Sequence, residues 1–209
     1  MSTTHVAFVP ASGVSKEIRF IGLKLPGFFS WRIFHFLSSR PGIKVKYTGE
    51  LNVETMARLE EALELYNNGN FSKIFVAGGY ANGIKFTTSF MMKCYLTNVL
   101  HRIDTKGNII SGAIEKENVF VGGKSSDSIG HAKELVEFLI KLPANEIVLH
   151  IITSDYHLWR AKRTIMAEFN ARNIINKVIL TEEHPVAPPL NCETLLNRLI
   201  EPLLQIRDL

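Results

Sequence analysis

The chain carries little cysteine. Cys94 and Cys192 are the only 2 in 209 residues, and they form neither a CxxC nor a metal-type spacing. A disulfide-stapled secreted scaffold is excluded. A reduced intracellular setting is the plain expectation, and a single long-range disulfide is the alternative. Long apolar runs are missing as well. A spanning helix needs about 18 consecutive apolar residues, and the nearest stretch, FIGLKLPGFFSWRIFHFL at 20–37, is interrupted by Lys24, Pro26, Arg32 and His35. MSTTH at 1–5 has no basic n-region, and the VAFVP that follows is too short for a signal peptide. A cytoplasmic location with no stable membrane insertion is expected. Charge of one sign is not concentrated anywhere: Lys plus Arg outnumber Asp plus Glu by 24 to 20. That mild excess allows anionic ligands but supplies no arm for nucleic acid. Repeats, low-complexity tracts and linkers are absent. So are GxSxG, GxGxxG, HxH and HExxH, and no metal centre is expected from the spacing of His131, His150 and the other histidines.

What is present is alternation. Five Val- and Ile-rich runs read as strands: HVAFVP (5–10), KIFVAGG (73–79), NVFVGG (118–123), EIVLHIIT (146–153) and KVILT (177–181). Their nearly continuous apolar character is that of parallel strands covered on both faces. Helical patterns separate them at 52–69, 87–103, 127–142, 157–172 and 191–209. In the first of these, Leu59, Ala62, Leu63 and Tyr66 share a face and Gly69 reads as the C′ stop. Asp127 or a neighbouring serine caps the third. This order predicts a parallel sheet with right-handed crossovers and helices on both faces, in a single domain over 1–209. HPVAPPL (184–190) reads as a loop. Residues 14–50 are the least regular, with FFSWRIFHFL as an aromatic helix and IKVKYTG alternating like an edge strand. This insertion reads as a lobe packed on the core. A lid, a membrane-surface patch and a homodimer face through 28–37 are the alternatives.

In a parallel sheet every strand delivers its C-terminus to one edge, where ligands bind. Here the strands are followed by PASG, GGYANG, GGKSSDS and TSDYH. Glycines admit close approach to the backbone, and hydroxyls with helix N-terminal amides bind anionic oxygens. Turns also favour Gly and Ser for their own geometry, but four such loops together point to a cleft. The candidate binding residues are Ser12, Gly13, Gly78, Gly79, Lys124, Ser125, Ser126, Ser128, His131, Thr153 and Ser154. GGKSS is not a P-loop, because the glycine that motif needs falls on Asn118. His157 and Arg160 stand three apart at a helix start, on one face, as candidate general acid/base and oxyanion clamp. Asp127 and Asp155 are candidate orienters or bases. Arg160 paired with Asp155 is the structural alternative. Trp159 reads as core, with a stacking surface as the other reading.

The loops resemble the YdcF/SanA/ElyC-like family of α/β domains. RLEEALELYNNG (58–69), VAGG (76–79) and TSDYHLWRA (153–161) match its motifs, and SSDSIGHA (125–132) is a degenerate form of its Ser-x-Asn-Thr-x-Glu-Asn-Ala helix start. In that stretch Asp127 and Ser128 stand for the Asn and Thr, while Gly130 replaces the Glu and His131 the second Asn. A further family Glu falls on Gly122, and the acid after VAGG falls on Thr88. The resemblance implies a Rossmann-like three-layer sandwich, with a mostly parallel sheet of five or six strands. It also implies a nucleotide-type ligand such as S-adenosylmethionine or another adenine nucleotide. The expected function is binding of a small nucleotide-like or phosphorylated anion, extending to transfer or hydrolysis. The alternative is a catalytically silent binding or scaffold relative that has lost its acids.

Overall fold

The structure is a computed structural model that describes residues 3–20, 23–25, 43–80, 85–98, 102–103, 109–110 and 113–187. In chain order the elements are β1 (Thr3–Pro10), β2 (Val14–Phe20), β3 (Leu23–Leu25), β4 (Ile43–Leu51), α1 (Val53–Asn67), β5 (Lys73–Ala77) and α2 (Thr88–Thr97). They continue with β6 (Arg102–Ile103), β7 (Ile109–Ile110), β8 (Val119–Gly122), α3 (Ser128–Lys141), β9 (Glu146–Ser154), α4 (Asp155–Ala171) and β10 (Val178–Val186). Among the described residues the main sheet has 5 strands in the order β10-β9-β1-β5-β8, and every pairing in it is parallel.

Strand alternation sorts the core into two layers. Val6 and Phe8 of β1, Phe75 of β5 and Leu149 of β9 pack on Leu135 and Leu139 of α3 and on Ile165 and Phe169 of α4. On the opposite face Ala7 and Val9, Ile74 and Val76 meet Leu59 and Leu63 of α1 and Met92 and Leu96 of α2. Apart from Ala7, each such side chain contributes about 1.5–3 kcal/mol of transfer free energy. The architecture is therefore a Rossmann-like α/β sandwich. The chain starts in the middle at β1, winds outward through β5 to β8, then returns to the other side of β1 with β9 and β10. The direction of winding reverses between β1 and β9. Their C-terminal ends form the topological switch point, where doubly wound folds hold ligands.

Several boundaries move relative to the sequence reading. Helix α2 stops at Thr97 rather than near 103, because Asn98 takes an extended conformation (φ −83, ψ 123), and a two-residue pairing of β6 with β7 follows. Strand β10 runs on to Val186 instead of ending at Thr181. Pro185 is tolerated there because β10 is an edge of the main sheet, pairing only with β9 among the described residues. The irregular region contains a separate antiparallel sheet in the order β3-β2-β4. IKVKYTG is thus a strand, but one that pairs with β2 and not with the main sheet. The aromatic 28–37 segment, with its dimer-face reading, and the helix expected at 191–209 lie outside the described residues. No helix among the described residues is long and apolar enough to cross a membrane.

Candidate functional site

The switch point is filled by the first turns of α1. Asn52 caps that helix, its Oδ1 accepting from Thr55 N at 2.9 Å. The cap sets Glu54 and Arg58 one turn apart, and both are 2% exposed. Arg58 Nη2 donates to Glu54 Oε1 at 2.5 Å, and Nη1 donates to Pro10 O at 2.6 Å. Arg58 Nε and Nη2 also reach Ser154 Oγ, at 3.1 and 2.9 Å. Ser154 Oγ donates to Glu54 Oε1 at 2.5 Å, and Tyr156 Oη donates to the same oxygen. Ser12 Oγ donates to Glu54 Oε2 at 2.7 Å and accepts from Asn52 Nδ2 at 3.0 Å. Burial alone would raise the Glu54 pKa. The Arg58 charge and the Ser154, Tyr156 and Ser12 hydroxyls overcome it and hold the carboxyl at about 2. Glu54 is a permanent, fully engaged carboxylate, which suits a structural anchor and not a proton acceptor.

This clamp assigns three of the expected binding residues to internal work. Ser12 and Ser154 point at Glu54, and the Gly13 amide donates to Thr55 Oγ1 at 3.2 Å. Ser154 holds the N-cap position of α4 but makes no side-chain cap bond, because its hydroxyl is turned to α1. Gly78 and Gly79 likewise serve loop-to-loop contact. A Cβ on Gly78 would sit 2.8 Å from Ala11 Cβ, and one on Gly79 would sit 2.6 Å from Ser125 O. The close approach they permit is that of neighbouring loops.

The remaining candidates gather at the ends of β8 and β9. Asp127 is the N-cap of α3, its Oδ1 accepting from Gly130 N at 2.7 Å. Glu134, one and a half turns into α3, accepts from the amides of Lys124 and Ser125 at 2.9 and 2.7 Å. Its other oxygen, Oε2, is buried and makes no hydrogen bond within the described residues. His131 is buried, and its Nε2 donates to Ser125 O at 3.1 Å, since a carbonyl can only accept. Burial holds its pKa down at about 4, and the His157 and Arg58 charges add to that. The Ser125 bond and Asp127 work in the other direction without prevailing.

Arg160 of α4 donates from Nη2 to Ser128 Oγ at 3.0 Å, joining the start of α3 to the second turn of α4. Lys124 and Ser126 are exposed on the same loop, while Ser128 and His157 are half-buried. Asp155 opens α4 and accepts from the Tyr156 amide at 2.7 Å. Thr153 is fully buried, and its hydroxyl makes no hydrogen bond within the described residues. Trp159 is not core. It is 48% exposed, with Arg163 lying 5.3 Å over its ring.

Gly122 and Gly130 have a packing reason. A Cβ at Gly122 would stand 2.2 Å from Glu134 Oε2 and 2.7 Å from the Phe75 ring, and one at Gly130 would stand 1.7 Å from Ser125 Oγ. Glu54, Tyr156 and Glu134 were absent from the candidates read in the sequence, and Arg58 appeared only as part of a motif. One signal was available: Arg58 sits on the apolar stripe of Leu59, Ala62 and Leu63, and a charge in a buried stripe demands a partner. Deeper in the sheet, His150 of β9 is held neutral at a pKa of about 4 by burial despite the Glu182 carboxylate, with His184 and His5 lowering it further. Comparison with known protein families, with curated proteins and with solved structures gives no match.

Proposed function

We propose that this chain binds a small anionic ligand, nucleotide-like or phosphorylated, over the first turns of α3 and α4. The observation that carries the reading is the Arg160–Ser128 hydrogen bond. It places a guanidinium and a hydroxyl at the positive end of one helix, in the arrangement that recognises phosphate or carboxylate oxygens. Exposed Lys124 and Ser126 border the same loop. In this reading Arg160 clamps the anion and Ser128 and Ser126 orient it. His157 supplies acid/base chemistry if phosphoryl or similar transfer follows. The motif resemblance favours adenine nucleotides and S-adenosylmethionine as first probes. A binding module without catalysis is the second reading, favoured by Glu54, whose oxygens are committed to Arg58 and three hydroxyls.

A thermal-shift screen with adenine nucleotides, S-adenosylmethionine, sugar phosphates and inorganic phosphate tests both, run on the wild type and Arg160→Ala together. A ligand at 100 times its Kd adds about 2.7 kcal/mol, a shift of several degrees at most chain lengths. The expected result is a shift with at least one anion that Arg160→Ala loses. Equal shifts in both proteins, or none with any compound, would overturn the assignment. Turnover of the bound compound separates the catalytic reading from the silent one.

A further inference from the structure

A second polar cluster lies on the α1-facing side of the main sheet, away from the loops just described. Parallel pairing sets Glu182 of β10 beside His150 of β9. His184 follows Glu182 by two residues and therefore shares its face of the strand. The side chains converge. His150 Nδ1 lies 3.1 Å from His184 Nε2 and 3.2 Å from Glu182 Oε2, and the last two atoms are 4.0 Å apart. Two imidazole nitrogens and a carboxylate oxygen so arranged form a ligand set.

The triangle has the size of a metal site. The circle through corners separated by 3.1, 3.2 and 4.0 Å has a radius of about 2.0 Å, so a point in their plane lies about 2.0 Å from all three atoms. Tetrahedral Zn²⁺ ligands stand about 3.3–3.4 Å apart, so a tetrahedral ion requires the Glu182–His184 edge to close by about 0.6 Å, a movement within reach of the part-exposed Glu182 side chain. Zn–N and Zn–O bonds are about 2.0–2.2 Å long. A hydrogen-bond explanation accounts for less, because His150 Nδ1 carries at most one proton and faces two groups at nearly equal distance. The second nitrogen of His150 is also committed. Its Nε2 lies 3.1 Å from His5 Nδ1 of β1, a contact that holds the ring. Metal-bound histidines make such an outer bond with the ring nitrogen that does not coordinate. Phe71 packs against the His150 ring at 5.8 Å between centroids and closes the interior side. Exposure rises outward, from 1% for the His150 side chain to 18% for His184 and 39% for Glu182, which gives an ion a path from solvent.

We infer that His150, Glu182 and His184 bind a divalent transition-metal ion of zinc type. Two imidazoles and one carboxylate match the borderline-soft character of Zn²⁺, where an all-oxygen set would select Mg²⁺ or Ca²⁺. Three protein ligands leave a fourth position for water. The ion ties edge strand β10 to β9, and His5 acts on it only through His150.

The test is titration of the metal-free full-length chain with Zn²⁺, followed calorimetrically, and with Co²⁺, followed by its d–d absorption. The expected result is one ion per chain with a tetrahedral-type Co²⁺ spectrum. His184→Ala and Glu182→Gln should weaken binding by more than about 100-fold, and His5→Ala by about 10–100-fold, the range of a lost outer-shell partner. Glu183→Gln should bind as wild type, since Glu183 points to the other face and pairs with Lys162. Zn²⁺-induced shifts of the histidine ring nitrogens in the wild type give a reading that needs no variant: they should fall on Nδ1 of His150 and Nε2 of His184. No stoichiometric binding, unchanged affinity in folded His184→Ala and Glu182→Gln, or shifts confined to other histidines would overturn the assignment.

Discussion

Arg58 and Ser154 stand 96 residues apart in the chain and meet through two hydrogen bonds, from Nε and Nη2 to the serine Oγ. The same guanidinium holds Glu54 and the carbonyl of Pro10. One side chain thus joins α1, the end of β1 and the end of β9 at the place where the sheet reverses direction. In many doubly wound folds that crevice is open to ligand. Here a neutralised ion pair fills it, and the anion-binding reading moves to the neighbouring loops of β8 and β9.

Removing one partner of this pair should cost far more than removing both. Arg58→Met leaves Glu54 charged and buried, and a loss of about 3–5 kcal/mol in urea unfolding is expected. Glu54→Gln in the same background should restore part of that loss, because the uncompensated charge disappears. A double variant as unstable as the sum of the two single ones would show that the pair is not coupled.

Gly130 offers a sharper packing test. Ala in place of an exposed mid-helix Gly usually stabilises by up to about 1 kcal/mol. At this position the added methyl would overlap Ser125 Oγ and Cβ, at 1.7 and 2.2 Å. Gly130→Ala is therefore expected to destabilise by about 1–3 kcal/mol. Ser125→Gly should rescue it, giving a double variant more stable than Gly130→Ala alone. Additive losses in chemical denaturation would count against the overlap.

The core of the fold was legible because its signals are local. Leu59, Ala62 and Leu63 recur at helical spacing, and runs such as EIVLHIIT are too apolar for anything but a covered strand. Sheet order was not legible, since β1 pairs with strands beginning at Lys73 and Glu146 and no short-range pattern encodes such partners. Site loops were recognisable from their Gly, Ser and Asp content. The direction of each hydroxyl was not, because Ser154 is turned inward by Glu54, 100 residues away. Reading the last strand as ending at Thr181 had a further consequence. It left both Glu182 and His184 outside any strand and concealed that the two share a face of β10, and a metal set spread over adjacent strands leaves no HxH or HExxH trace.

Acid should loosen the protein in a defined window. His131 has an ordinary pKa of 6.5 and is held at about 4 in the fold, chiefly by burial. Between these values the unfolded chain binds the proton and the folded one resists it. Its contribution to stability is therefore complete above pH 6.5 and falls away as pH drops toward 4, by on the order of 3 kcal/mol. His131→Gln keeps a donor for Ser125 O and removes the titration. Unfolding free energies at pH 7 and pH 5 should converge in that variant relative to wild type. An unchanged pH slope would mean that His131 titrates normally in the native state.

Glu134 separates hydrogen bonding from charge in the loop that carries the proposed ligand contacts. Its Oε1 accepts from the Lys124 and Ser125 amides, and the same carboxylate occupies the space beside Gly122. Glu134→Ala strips both amides of their acceptor and leaves a cavity against Phe75, so their hydrogen exchange should speed up toward that of open loop. Glu134→Gln retains a carbonyl oxygen with two lone pairs and should keep both amides protected. Anion affinity gives the second readout. Removal of a negative charge beside Lys124 should leave Glu134→Gln binding as well as wild type or more tightly, whereas Glu134→Ala should bind more weakly because the loop is no longer preorganised. Rapid exchange of both amides in Glu134→Gln would show that the charge, and not the acceptor geometry, holds the loop.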